Sequence, residues 1–100
     1  MEEQKHSKRD DHTIFIGNKP FMNYVTGVVM QFTTQGAKEI VVKARGKFIS
    51  RAVDVVEVTA KRFLENSIGT TNIKIDSEEF ENKEGKQVRV STIEITVSKK

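Results

Sequence analysis

His12-Thr13-Ile14-Phe15-Ile16-Gly17-Asn18-Lys19-Pro20-Phe21-Met22-Asn23-Tyr24-Val25 is the stretch on which the fold turns. His12 to Ile16 is a short apolar run with branched residues, which predicts a buried strand. Gly17-Asn18 is a turn signal. Lys19-Pro20 then opens a helix, because a proline in the first turn forgoes an N–H that would lack a partner there. Met22, Val25, Val29 and Phe32 follow at three- and four-residue steps and give one apolar face. Gln35-Gly36 supplies the stop.

The same grammar repeats downstream. Ile40-Val41-Val42 predicts a second short strand reaching Arg45, and Gly46 breaks it. A second helix follows from about Lys47, with Ile49, Ala52, Val53, Val56, Ala60 and Phe63 at helical spacing. Val55 and Val58 widen that stripe onto a second side, more than one small sheet can cover, so a partner subunit is expected. After Asn66-Ser67-Ile68-Gly69, two long strands, Thr71 to Glu81 and Lys86 to Ser98, flank the polar loop Asn82-Lys83-Glu84-Gly85. Each would extend roughly 30 Å, so part of the hairpin should project as an arm. Ile73 and Ile75 have one parity and Phe80 the other. Val88 and Val90 likewise oppose Ile93, Ile95 and Val97. A parity change moves the apolar face across the strand, and a twist or bulge near Ser91-Thr92 is the expected cause. The order is β-α-β-α-β-β. Strand–helix–strand crossovers make the first strands parallel, and the final pair is antiparallel. The fold expected is α+β, a four-stranded mixed sheet covered by two helices, with a projecting β-hairpin.

With 100 residues the chain is one domain, and residues 1–11 are nearly all polar and read as a flexible N-terminal tail before a domain over 12–100. There is no cysteine, which removes disulfides and thiolate chemistry. No apolar run approaches the roughly 20 residues of a membrane span, and Met1 to His6 lacks the apolar core of a secretory signal. A soluble intracellular domain is expected. His6 and His12 lie in or beside the tail and read as solvated side chains, not metal ligands. Asp54 and Glu57 sit one turn apart on the second helix and read as a solvated face or as ion-pair partners of Arg51 and Lys61, not a catalytic dyad. No nucleophile motif or phosphate-binding glycine loop is present. The chain is expected not to be an enzyme and to need no cofactor.

Lys+Arg is 17 against Asp+Glu 14, a net charge of +3, and the positions matter more than the sum. Lys43, Arg45, Lys47 and Arg51 crowd the second strand–helix junction, and Lys19 occupies the first. Parallel strands place both junctions on one sheet edge, with both helix N-termini pointing there. Backbone N–H groups, positive helix ends and cations on one edge make an anion site. The hairpin adds Lys86 and Arg89. It also carries Asp76, Glu78, Glu79, Glu81 and Glu84, which repel phosphate, so the arm should contribute less than the edge.

Ile16 to Val25, Ile40 to Lys47, Ile49 to Asp54 and Gly85 to Ile95, in that order, resemble the Alba family, small basic chromatin proteins of archaea. The resemblance covers all but the tail. It implies a fold like the C-terminal domain of translation initiation factor three. It also implies a homodimer that binds double-stranded DNA and RNA, with the first strand–helix loops over the duplex and the arms along adjacent minor grooves. Carried over by motif, the nucleic-acid-binding residues are Lys19, Lys43, Arg45, Lys47, Lys86 and Arg89, with Asn23 and Tyr24 nearby. Typical members carry a lysine at the x of I-G-x-K-P, where acetylation weakens DNA binding. Here x is Asn18, which removes that regulation and one phosphate contact per subunit. Phe63 has two readings: a dimer–dimer contact in a higher assembly on DNA, suggested by its place in the resemblance, or a cap on the core.

The expected function is therefore a chromatin protein that coats and compacts double-stranded DNA as a homodimer and binds RNA, in the cytoplasm on the chromosome. Two alternatives remain: an accessory RNA-binding subunit of an RNA-processing or regulatory complex, and a structural dimer whose acidic hairpin binds a basic protein.

Overall fold

The computed structural model describes residues 12–100; the expected tail, with His6, lies outside the described residues. Strand β1 (Thr13–Phe15) leads to helix α1 (Phe21–Thr33) and strand β2 (Glu39–Arg45). A 3₁₀ turn, Gly46–Phe48, feeds helix α2 (Ile49–Val58), which ends in a π turn, Thr59–Phe63. The long strands β3 (Ile68–Glu81) and β4 (Gln87–Lys99) complete the chain. Gly46 stands at φ +57, a conformation that a side chain disfavours, which is why the strand stops there.

The sheet order is β1-β2-β4-β3. β1 runs parallel to β2 with Ile14 opposite Val42, and β2 runs antiparallel to β4 with Val42 opposite Ile95. The expected α+β mixed sheet is thus present. Alternate residues Ile40, Val42 and Ala44 of β2 are buried, as are Ile93, Ile95 and Val97 of β4. They share one core with Val25, Val28 and Phe32 of α1 and Ala52, Val55 and Val56 of α2. Both helices therefore cover the same face. The other face, carrying Phe15, Lys43, Arg45, Thr92 and Glu94, has no helix over it. Full burial of a side chain such as Ile40 or Val42 contributes about 1.5–3 kcal/mol, so this one-sided core is what holds the sheet.

Two helix faces differ in detail from expectation. On α1 the buried stripe is Tyr24, Val25, Val28 and Phe32, whereas Met22 is 46% exposed and Val29 only half-buried. Tyr24 turns inward because its hydroxyl is used by the preceding loop. On α2, Val55 is in the core and Val53 is 42% exposed, the reverse of the expected assignment. Ala52, Val55, Val56, Thr59 and Ala60 form the continuous buried row, at steps of three and four.

The hairpin is longer than expected. β2 accompanies β4 only as far as the Arg45–Thr92 pair; beyond it, residues 77–91 form an arm with no third strand. The arm's five paired residues on each strand extend roughly 17 Å. Ile73 and Ile75 pair with Ile95 and Ile93, on the helix side, while Phe80 pairs with Val88 on the opposite side. Pairing stays in register through Ser91 and Thr92, so the expected bulge is not there. The irregularity lies between Thr70 and Asn72 instead. The apolar face changes along the arm because no helix reaches it to demand one side. The turn forms as expected: Asn82 Oδ1 accepts from the amides of Glu84 (2.9 Å) and Lys86 (3.0 Å), and Gly85 takes φ +80. Among the described residues, no helix is long and apolar enough to cross a membrane.

Candidate nucleic-acid interface

The loop from β1 to α1 is fixed before any ligand arrives. The amide of Ile16 donates to the Lys43 carbonyl (2.9 Å), continuing the parallel ladder past β1. The Tyr24 hydroxyl then accepts from the amides of Gly17 (2.9 Å) and Lys19 (3.0 Å). Tyr24 is only 8% exposed. A residue that the sequence places near the nucleic acid thus lies beneath the loop and shapes it. Above it, Asn18, Lys19 and Asn23 are exposed.

Both helices open toward this edge without caps. Neither Pro20 before α1 nor Phe48 before α2 makes a side-chain cap, and neither first turn holds an acid. The positive helix ends remain for an anion, although the Asn23 amide already donates to the Pro20 carbonyl (3.0 Å) and the Ile49 amide to the Gly46 carbonyl. The two junctions are joined directly. Arg51, on α2, donates from Nη2 to the Lys19 carbonyl at 2.7 Å. Its guanidinium lies 5.9 Å from the ring centroid of Phe21 and 6.0 Å from that of Tyr24. The convergence expected from the strand order is therefore real. Arg51, however, spends its charge on a carbonyl and two aromatic faces at the edge, and among the described residues it makes no ion pair with Asp54 or Glu57. The other half of that expectation holds, since Lys61 pairs with Glu57 at 2.9 Å.

The remaining cations separate into two groups. Arg45 pairs with Glu78 at 3.0 Å, Arg89 with Glu79 at 2.8 Å, and Lys43 with Glu94 at 3.7 Å. The arm's acids thus hold its own Arg89 and also reach back to an arginine of the edge. Lys19, Lys47 and Lys86 are exposed and, among the described residues, have no carboxylate within the 4.0 Å of an ion pair. Exposed pairs are worth about 0–1 kcal/mol, so phosphate can compete for Arg45 and Arg89, but Lys19 and Lys47 need no such exchange. Phe63, at the end of the π turn, is 49% exposed. His12 does not stand solvated: its Nδ1 lies 3.1 Å from Gln31 Oε1.

Two features escaped the sequence. Phe15, read as part of a buried strand, is 70% exposed, on the open face opposite Lys43. Its alternation with Ile14 and Ile16 carried the signal, but a three-residue strand is too short for period-two reading to decide a face. Arg51's inward role had no sequence signal, because it depends on two loops meeting in space.

The chain matches the Alba family model over residues 12–77. It is 57% identical over 88 residues to a DNA/RNA-binding protein Alba of Nanoarchaeum equitans, covering 87% of this chain and 97% of that one. A second DNA/RNA-binding protein Alba, from Methanocella arvoryzae, is 50% identical over 86 residues, covering 86% and 88%. The solved structure of Alba from Thermoplasma volcanium superimposes with a TM-score of 0.78 at 46% identity, covering 87% of this chain and 99% of that chain. Fold, loop geometry and these likenesses agree, and this chain belongs to the Alba family.

Proposed function

We propose that this protein binds double-stranded DNA and RNA non-enzymatically through the edge built by Lys19, Lys47 and the two helix N-termini. The observation that carries the reading is the pair of helix starts with no side-chain cap and no acid, fastened to each other by Arg51 and flanked by Lys19 and Lys47, which make no ion pair among the described residues. Phosphate contacts made this way position a nucleic acid without reading its sequence. Asn18, Asn23, Lys43, Arg45, Lys86 and Arg89 extend the surface, and Tyr24 and Arg51 support it from below. The names of the relatives, DNA/RNA-binding proteins, favour the same ligand class.

The protein acts as a homodimer that coats and compacts the chromosome in the cytoplasm. Val53, Phe63, Ile73 and Ile75 are large apolar side chains left 42%, 49%, 58% and 75% exposed, and a second copy is the natural cover for them. Phe63 serves as a further contact between dimers aligned on DNA. Sedimentation at micromolar concentration together with duplex binding across a salt series tests both parts. A dimer whose affinity falls steeply with salt is expected; a monomer, or salt-independent binding, overturns the reading.

A further inference from the structure

We propose that the cleft at the open end of the sheet is a pocket for one unpaired nucleobase, with guanine preferred, stacked against Phe15. This rests on the nucleic-acid interface proposed above and adds a ligand that a fully paired duplex does not offer. The cleft measures about 380 Å³, and Phe15, Phe48, Arg45, Glu78, Lys43 and Glu94 stand around it. That size lies near the lower end of small-molecule pockets, roughly 300–1,000 Å³, which suits a single base.

Three observations point to a base. First, Phe15 is the most exposed aromatic on this face, at 70%, and a bare aromatic ring beside cations is the usual stacking platform for nucleobases. The Lys43 ammonium lies over that ring, 5.7 Å from its centroid, and a base stacking on the same face takes its place there. Second, Phe15 also lines a second, wider cleft of about 630 Å³ with Lys19 and Asn23. The ring is therefore the ridge between the phosphate loop and the pocket, so a strand held at Lys19 has a base within reach of Phe15. Third, the pocket rim pairs each cation with a carboxylate, Arg45 with Glu78 and Lys43 with Glu94. Carboxylates weaken phosphate binding, but a donor beside an acceptor matches a base edge. Guanine offers two adjacent donors, N1–H and N2–H, to a carboxylate and an acceptor, O6, to a cation; adenine, cytosine and uracil offer a single donor group on that edge.

The test is binding of an RNA duplex interrupted by a one-nucleotide bulge, followed by fluorescence anisotropy at fixed salt. The bulge carries guanine, adenine, cytosine or uracil, or an abasic residue that keeps the kink without the base. The wild type should bind the guanine bulge roughly tenfold more tightly than the abasic one, and ahead of the other bases. Phe15→Ala and Phe15→Leu should both remove that advantage while leaving the fully paired duplex within about twofold of the wild type. Glu78→Gln should tighten binding to every RNA and remove the lead of guanine over adenine. Equal affinity of the wild type for base and abasic bulges, with normal duplex binding, overturns the pocket and leaves the phosphate interface standing. So does a Phe15→Ala variant that loses all RNAs equally or falls to monomer. A wild type that binds none of the RNAs overturns the interface and the pocket together.

Discussion

Removing the Arg51 guanidinium distinguishes a cation that touches phosphate from one that holds the loop. In Arg51→Met the side chain keeps most of its apolar stem. It loses the 2.7 Å bond to the Lys19 carbonyl and the approach to Phe21 and Tyr24. The loop stays tethered by the Tyr24 hydroxyl but gains freedom at Lys19. Re-fixing one residue's backbone on binding costs about 1 kcal/mol at the low end. The proposed dimer would re-fix two loops, about 2 kcal/mol, which is roughly a 30-fold loss of duplex affinity. The assay is duplex DNA affinity across a salt series. A lost phosphate contact makes log affinity against log salt shallower by roughly 0.9 per cation, close to two per dimer. A loosened loop leaves the slope nearly unchanged. Arg51→Lys keeps the charge but not the planar fork that bonds the carbonyl while lying on two rings, so it should resemble Arg51→Met in affinity. A slope shallower by about two in Arg51→Met, with full rescue by Arg51→Lys, would refute the positioning role.

Asn18→Lys should tighten duplex binding and steepen the salt slope by roughly two per dimer, since it adds one cation per loop; anisotropy titrations read both. Tyr24→Phe leaves the amides of Gly17 and Lys19 without their acceptor. Its cost should be about 1–3 kcal/mol, seen as a lower thermal midpoint in calorimetry. Phe63→Ala, at a half-exposed site, should lower cooperativity on long DNA without changing the affinity of one dimer. A thermal midpoint falling by many degrees would assign Phe63 to the core instead. Glu79→Gln frees Arg89 from its 2.8 Å partner and should strengthen binding at low salt more than at high salt.

Much of the fold is written in periodicity and punctuation. The Gly17-Asn18, Gln35-Gly36, Gly46 and Asn82–Gly85 breaks place the elements, because each break has a backbone or hydrogen-bonding cause that acts locally. Which face of each element is buried was less legible. On α1 the choice between Met22 and Tyr24 depends on a hydroxyl reaching back to loop amides, a contact set by the turn. On α2 the choice between Val53 and Val55 depends on where the 3₁₀ turn ends and the helix phase begins. The arm's change of face was visible as a parity switch, but its cause was not, because sequence does not show how far the helices reach. For the candidate site, charge clustering found Lys19, Lys43, Arg45, Lys47 and Arg51. It could not tell that Arg45 meets Glu78, 33 positions away in sequence, or that Arg51 turns inward.

In the proposed interface the edge at Lys19 carries more of the phosphate binding than the arm. The direct measurement is duplex DNA affinity from low to high salt for the wild type, Lys19→Ala and Arg89→Ala. If a dimer meets about six phosphates, the wild-type slope should lie near −5, and Lys19→Ala should make it shallower by roughly two. Arg89→Ala should change it less, because that guanidinium is already bound to Glu79. An unchanged slope in Lys19→Ala, with binding abolished in Arg89→Ala, would contradict the account and make the hairpin arm the main contact.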